Sequence, residues 1–349
     1  VLAKSERPLK FAEVYGAEIP KRVLSAVVRN PEKAPQSYVL CGAYGSGKTS
    51  CARIFGRAIN CESGRTLGDA CNQCLSCKEL ISTGGGNYLE FDAAIVGNVN
   101  TMRELRDRLG YLYSSGFRVV VFDECHMASG EAQSSLLKTL EDSPRGVFYI
   151  FSTTEADKLL DTILSRSLVL TFDGLSRSEM TDLVTKVAAK EQIEVDDFIK
   201  HYIVRRVSGH ARDGMQQLEL LRLMGTSEYK RQAILLDESI LLFFKRMAAN
   251  DRVDAERIAT ELCSFPIAYL AQDFEFFTRR LVEKVFIVKD PTYLPFSKLV
   301  FYFLENHKHL GSSNDWYLFL MSTASFFEKK EQGSSERWVK EKDGTKPKV

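Results

Sequence analysis

The run Gly42-Ala43-Tyr44-Gly45-Ser46-Gly47-Lys48-Thr49 fits the spacing G-x-x-x-x-G-K-[ST]. The glycines let successive backbone N–H groups curl around a polyphosphate. Lys48 can reach β and γ oxygens, Thr49 offers a hydroxyl to Mg²⁺, and a helix starting there adds its positive end. This loop is built to hold a nucleoside triphosphate. Further along, Val119-Val120-Val121-Phe122-Asp123-Glu124-Cys125-His126 ends an apolar run in two carboxylates, which reads as a Walker B motif. A strand buried on both faces is a continuous apolar run, and ligands of open α/β sheets sit beyond the carboxyl ends of such strands. Asp123 would hold Mg²⁺ directly or through water, and Glu124 would polarise the attacking water. Cys125 and His126 read as structural residues.

A second chemistry lies between these motifs. Of eight cysteines, four cluster as Cys61-x9-Cys71-x2-Cys74-x2-Cys77. Beside a triphosphate motif this is metal-ligand spacing in a reducing compartment, not a disulfide framework. Four thiolates close a tetrahedral Zn²⁺ shell and leave no open position, so the expected zinc is structural. Cys41, Cys51, Cys125 and Cys263 read as small core residues.

These groups need a scaffold. Strand-like runs at Ser37 to Cys41, Tyr88 to Asp92, Arg118 to Phe122, Val147 to Phe151 and Leu168 to Phe172 alternate with helical patterns, which predicts a parallel α/β sheet. One helix is expected over Lys48 to Asn60. Another runs from about Glu131 to Asp142, with Leu136, Leu137 and Leu140 on one side and Pro144 as its stop. After Phe172 only helical patterns follow: a capping box at Ser176-Arg-Ser-Glu179, then amphipathic stretches from Val195 to Leu223 split around Gly209 to Gly214. A third helical region, about Asp237 to Phe327, is rich in Leu, Phe and Tyr, and its aromatics read as core or oligomer interface. The 349 residues are 44% apolar, enough for two or three domains. With 47 basic and 46 acidic residues the net charge is only +1, so any nucleic-acid contact must be local. No apolar run approaches the ~20 residues of a membrane span and the N-terminus has no signal-peptide core, so a cytoplasmic protein without a membrane partner is expected. From the start at Val1 a fragment or processed chain is expected.

In this order the motifs resemble one family closely: the gamma/tau subunit of bacterial-type DNA polymerase III, the ATPase of the sliding-clamp loader. The resemblance spans about Arg7 to Met215. It rests on Arg7-Pro8-x-x-Phe11-x-Glu13-Val14-x-Gly16, the P-loop, Ile59-Asn60-Cys61 with the cysteine triplet, and Phe91-Asp92-Ala93-Ala94. It continues through Asp123-Glu124-Cys125-His126-Met127, Leu136 to Glu141, Ser152-Thr153-Thr154, Ile163-Leu164-Ser165-Arg166 and Ala211-Arg212-Asp213. It implies an AAA+ P-loop core over 1–174 with a zinc insert at about 61–77, a helical lid over 175–232, an all-α collar over 233–328, and a charged tail over 329–349.

The implied ATP site draws on Arg7, Pro8, Gly42 through Ser50 and Arg212. Lys48, Asp123, Glu124, Thr154 and Arg166 would carry catalysis: Thr154 as sensor 1, Arg166 as the arginine finger reaching a neighbour's ATP, Arg212 as sensor 2 in the lid. Thr49 and Asp123 would share Mg²⁺, and Cys61, Cys71, Cys74 and Cys77 the Zn²⁺. Implied partners are the other subunits of a pentameric ring, a sliding clamp, primer-template DNA and the replicative polymerase. Tyr44 stands where the family has a smaller or basic residue, Ala17 where it has glutamine, and Ser167 where it has cysteine. These departures mark a divergent relative, for which a phage source and a host cytoplasm are among the expectations. The segment Gly97 to Thr101 opens a helix whose N–H groups suit a DNA phosphate or ordinary capping by Asn100. Two other functions compete: a nucleotide-binding scaffold without turnover, and another AAA+ DNA enzyme such as a branch-migration helicase. The intact Lys48, Asp123, Glu124 and Arg166 weigh against the first, and the cysteine insert against the second.

Overall fold

The computed structural model describes residues 1–83, 87–96, 116–141, 146–207, 209–248 and 251–263, with Asp273, Phe274, Phe277 and Thr278. Two compact units divide between Leu223 and Met224. The first is built on a parallel sheet of β1 (Ser37–Gly42), β2 (Tyr88–Asp92), β3 (Arg118–Asp123), β4 (Val147–Thr153) and β5 (Leu168–Phe172), in the order β2-β3-β4-β1-β5. β4 runs two residues past its apolar run because Ser152 and Thr153 keep pairing with Leu40 and Cys41.

Continuous apolar strands follow from burial on both faces. Tyr38, Leu40, Val119, Val121, Phe148 and Ile150 point into one core with Leu24, Ile54 and Phe55 of the helices Glu18–Arg29 and Lys48–Ile59. The alternate residues Val39, Val120, Phe122, Tyr149 and Phe151 face a second core. Leu136 is buried there, and Leu137 and Leu140 of the helix Gly130–Glu141 pack against it. Pro144 lies outside the described residues, as does the segment Gly97 to Thr101. The P-loop helix ends at Ile59, one residue early. The Asn60 side chain is instead used across the chain: its Nδ2 donates to the Phe117 carbonyl at 2.6 Å and its Oδ1 accepts the Phe117 N–H at 2.9 Å.

The expected capping box opens the helix Arg177–Lys190, with Ser176 Oγ accepting from the Glu179 N–H. The helices Asp197–Arg206 and Ala211–Met224 follow. The break between them ends at His210, so Gly214 is not part of it. Gly214 sits inside the second helix, where a Cβ would come within 3.1 Å of Met180 Sδ. Cys51 and Cys125 are buried as expected, whereas Cys41 and Cys263 are only half-buried; Cys41 stands at the carboxyl end of β1, where the core gives way to a cavity. In the second unit the helices Thr226–Ala248 and Arg252–Leu262 frame an aromatic cluster of Phe243, Phe244 and Phe274, with ring centroids 5.5 to 6.1 Å apart. The expected 232/233 boundary falls inside the first of these helices. The tail from 329 to 349 lies outside the described residues. Among the described residues no helix is long and apolar enough to cross a membrane.

Candidate functional site

A cavity of 340 Å³ opens at the carboxyl ends of the strands. Its floor is the loop from β1 into the helix Lys48–Ile59. Gly47 caps that helix at φ +98°, a left-handed conformation that only glycine adopts without strain. Gly42 has a different need, because a Cβ there would lie 2.1 Å from the Phe172 carbonyl oxygen of β5. Lys48 is buried and its ammonium donates to the Gly42 and Ala43 carbonyls at 2.7 and 2.9 Å. Burial lowers its pKa, and the Glu124 and Asp123 charges oppose that shift. Thr49 Oγ1 donates to Asp123 Oδ2 at 3.0 Å, which joins the two motifs across the sheet. Ser46 Oγ is buried without a hydrogen-bond partner among the described residues. An orphaned hydroxyl, a glycine cradle, an ammonium and a hydroxyl–carboxylate pair fit a magnesium-bound triphosphate.

Arg7, Pro8, Tyr44 through Ser50, Asp123, Glu124 and Arg212 all line this cavity, while Gly42 and Ala43 support it through Lys48. Glu124 takes up φ +49° directly after β3, a costly conformation for a residue with a Cβ. Burial and then the Asp123 charge raise its pKa, against the pull of Lys48 and His126. His126, almost fully buried, has Nδ1 3.5 Å from Glu124 and Nε2 3.4 Å from Glu155. Its Nδ1 also meets Thr153 Oγ1 at 3.2 Å. Thr153, the last residue of β4, thus touches the Walker B turn. The expected sensor Thr154 follows the strand, half-buried, and does not line the cavity. Arg166 is exposed, hydrogen-bonded to the Thr162 carbonyl at 3.2 Å, and also stands away from the cavity. Ser167 beside it places its hydroxyl 2.6 Å from that of Ser37, so the departure from cysteine is absorbed by a serine pair. The Arg212 guanidinium lies 4.8 Å from the Tyr44 ring centroid, a cation–π contact across the cavity rim.

Arg53, Glu90 and Asp92 line the cavity without a role assigned to them from the sequence. Arg53, on the P-loop helix, makes a bidentate pair with Glu90 of β2 through Nε at 2.7 Å and Nη2 at 2.6 Å, and Tyr88 Oη donates to Glu90 at 2.6 Å. Burial opposes the Glu90 charge, but the hydrogen bonds from Arg53 and Tyr88 outweigh it and hold the carboxyl below its usual range. Asp92, at the end of β2, pairs in register with Asp123 and also lines the cavity. The one available signal was an acid inside an apolar strand run, Leu89-Glu90-Phe91.

The cysteine cluster is a separate centre. The sulfurs of Cys61, Cys71, Cys74 and Cys77 all lie within 4.8 Å of one another. The Cys71 N–H donates to Cys61 Sγ at 3.3 Å, and the Gln73 and Cys74 N–H groups donate to Cys71 Sγ at 3.4 and 3.3 Å. Those two N–H groups pull the Cys71 thiol down to about 6, while burial raises Cys61 and Cys77. Four converging sulfurs with amide donors aimed at them fit a closed tetrahedral Zn²⁺ site.

A family model described as DNA polymerase III, delta subunit, matches residues 20–176. The DNA polymerase III subunit gamma/tau of Mycoplasma pneumoniae is 34% identical over 220 residues, covering 63% of this chain and 32% of that protein. Its counterpart in Mycobacterium tuberculosis is 37% identical over 223 residues, covering 63% and 38%. The match thus spans about a third of the length of these relatives. Among solved structures, the RuvB Holliday junction branch migration motor of Thermotoga maritima superposes with a TM-score of 0.50 at 17% identity, over 69% of this chain and 78% of that one. The replication initiator DnaA bound to AMPPCP and single-stranded DNA does so with 0.54 at 13%, over 84% and 95%. At these identities the two structures show a shared fold alone.

Proposed function

We propose, for a chain that is a relative of the gamma/tau subunits of DNA polymerase III, that it is an ATP-driven clamp-loader subunit. In this reading it binds and hydrolyses ATP to place a sliding clamp on primer-template DNA for the replicative polymerase. The observation that carries it is the Thr49–Asp123 hydrogen bond, which sets P-loop and Walker B against one another, in the same chain as a converged four-cysteine insert. Lys48 would neutralise phosphate charge, Thr49 and Asp123 would hold Mg²⁺, and Glu124, with its raised pKa, would orient and polarise the attacking water. Bound Mg²⁺ supplies charge neutralisation on the transferring phosphoryl group.

Arg166 stands away from its own cavity, exposed before β5. That placement supports a finger acting on a neighbour's ATP within a pentameric ring, with Arg212 answering from a lid formed by the helices after β5 and a collar beginning beyond Leu223. Thr154 remains the sensor in this reading, and Thr153, in contact with His126, shares its strand end. Zn²⁺ on the four cysteines would be structural. A cytoplasmic setting follows from the replication partners.

The intact set Lys48, Asp123 and Glu124 favours turnover over a silent scaffold, and the four-cysteine insert favours a clamp loader over a branch-migration motor. ATPase measurement with and without clamp, primer-template DNA and companion subunits tests this. Stimulation by clamp and DNA together is expected. Turnover that ignores both, or responds only to branched DNA, removes the clamp-loader reading. Arg166→Ala should leave nucleotide affinity of the isolated chain unchanged while abolishing stimulated turnover. Mixing it with Lys48→Ala subunits should restore activity at the interface where intact finger meets intact P-loop.

A further inference from the structure

The segment before the first 3₁₀ turn supplies Arg7 and Pro8 to one wall of the cavity, and its backbone is held from the cysteine insert. The Phe11 N–H donates to Asp69 Oδ2 at 2.9 Å, and Asn72 Nδ2 donates to the Leu9 carbonyl at 3.2 Å. That carbonyl also accepts from Arg57 of the P-loop helix at 2.9 Å, so insert and helix share one anchor point. The Ala70 N–H, 2.7 Å from Asp69 Oδ1, fixes the carboxylate from within the insert.

Asp69 and Asn72 flank Cys71. The Asn72 side chain holds Leu9, and its φ of +61° turns the chain directly after Cys71, whose sulfur accepts the Gln73 and Cys74 N–H groups. The loop that sets the sulfur positions is therefore the loop that presents the two anchors. We propose that Asp69 and Asn72 are positioning residues for the nucleotide pocket, transmitting the geometry of the four-cysteine loop to Arg7 and Pro8 through Leu9–Phe11. The proposal rests on reading the cavity as a nucleotide site, and it extends that reading by making the insert part of the pocket. Coupling of this kind is reciprocal: metal strengthens nucleotide binding by the factor with which nucleotide strengthens metal binding.

The test uses the full zinc-loaded chain and a fluorescent, non-hydrolysable ATP analogue. Asp69→Ala, keeping one zinc and the wild-type circular dichroism spectrum, is expected to bind the analogue about tenfold more weakly, within the usual range of coupling between sites. Asp69→Asn retains an acceptor oxygen and should recover most of the loss. Amides 9–13 should exchange faster in Asp69→Ala. Chelator competition should show the analogue raising zinc affinity in the wild type and not in Asp69→Ala. Should Asp69→Ala fail to fold, Asn72→Ala removes one hydrogen bond and is expected to show the same pattern, smaller. Unchanged analogue affinity in the zinc-loaded variants, or wild-type zinc affinity indifferent to the analogue, overturns the proposal. A wild-type chain that binds no analogue overturns the nucleotide reading and the positioning role with it. The two failures read differently, since the first leaves wild-type analogue binding intact and the second removes it.

Discussion

The cysteine cluster and the strand-end cavity pose the same problem, convergence of polar and ligating groups, at different ranges along the chain. The four sulfurs come from a stretch of 17 residues and meet within 4.8 Å through local turns. The cavity takes its groups from the N-terminal segment, the P-loop, β2, β3 and the helix beginning at Ala211, and brings Thr49 to Asp123 only because β1 and β3 run parallel in one sheet. A local site fails when its own loop is cut, whereas a distributed site can be weakened from many distant places. Mutations should reveal this as a difference in how far each effect spreads.

The largest expected effect is on chemistry alone. Glu124→Gln should lower turnover by about 10² to 10⁴, the usual worth of a positioned acid–base group, with nucleotide affinity and zinc content unchanged. Single-turnover kinetics and equilibrium binding check this together, and a wild-type rate would remove Glu124 from the mechanism. Next, Lys48→Ala should weaken ATP binding on the order of 10²-fold, as loss of one partner from a buried charged contact does. Zinc should stay at one equivalent. Loss of zinc in this variant would break the contrast, since it would make the cluster dependent on the distributed site.

Cys74→Ser approaches from the other side. Metal analysis should fall from about one equivalent to below about half, because three thiolates no longer close the shell. The melting temperature should drop by several degrees, while ATP binding falls only by the roughly tenfold coupling that Asp69 and Asn72 carry. The smallest effect belongs to the cavity rim. Tyr44→Leu removes the Arg212 cation–π contact at a cost of about 0.5 to 1 kcal/mol, or roughly two- to fivefold in affinity. Tyr44→Phe should behave as wild type, which isothermal titration can resolve.

Much of the site was legible because its chemistry is written in short spacings. Gly42 to Thr49, set between a strand-like run and a helical pattern and followed by the acidic pair Asp123-Glu124, announces a phosphate loop, four cysteines at short spacing announce a metal, and a run such as Val119 to Phe122 fits an inner parallel strand buried on both faces. The strand ranges followed from the same logic. β5 is the least apolar on its surface, with Leu168, Val169 and Thr171 exposed, as suits its place at the edge of the described sheet. The side-chain use of Asn60 was not legible: an amide at a helix end looks like a cap until Phe117 arrives beside it.

What the sequence determined by itself, then, was which groups this protein has for phosphate and metal chemistry and the order in which strands carry them, because periodicity and ligand spacing are local properties of a chain. The tertiary structure alone decided which distant residues meet: Arg53 with Glu90, Arg212 over Tyr44, Thr153 against His126, and Asp69 and Asn72 beneath the N-terminal wall of the cavity. Each of those pairs joins different elements. Their distance depends on strand order and on how the helices close over the sheet, and no spacing along a single element encodes either.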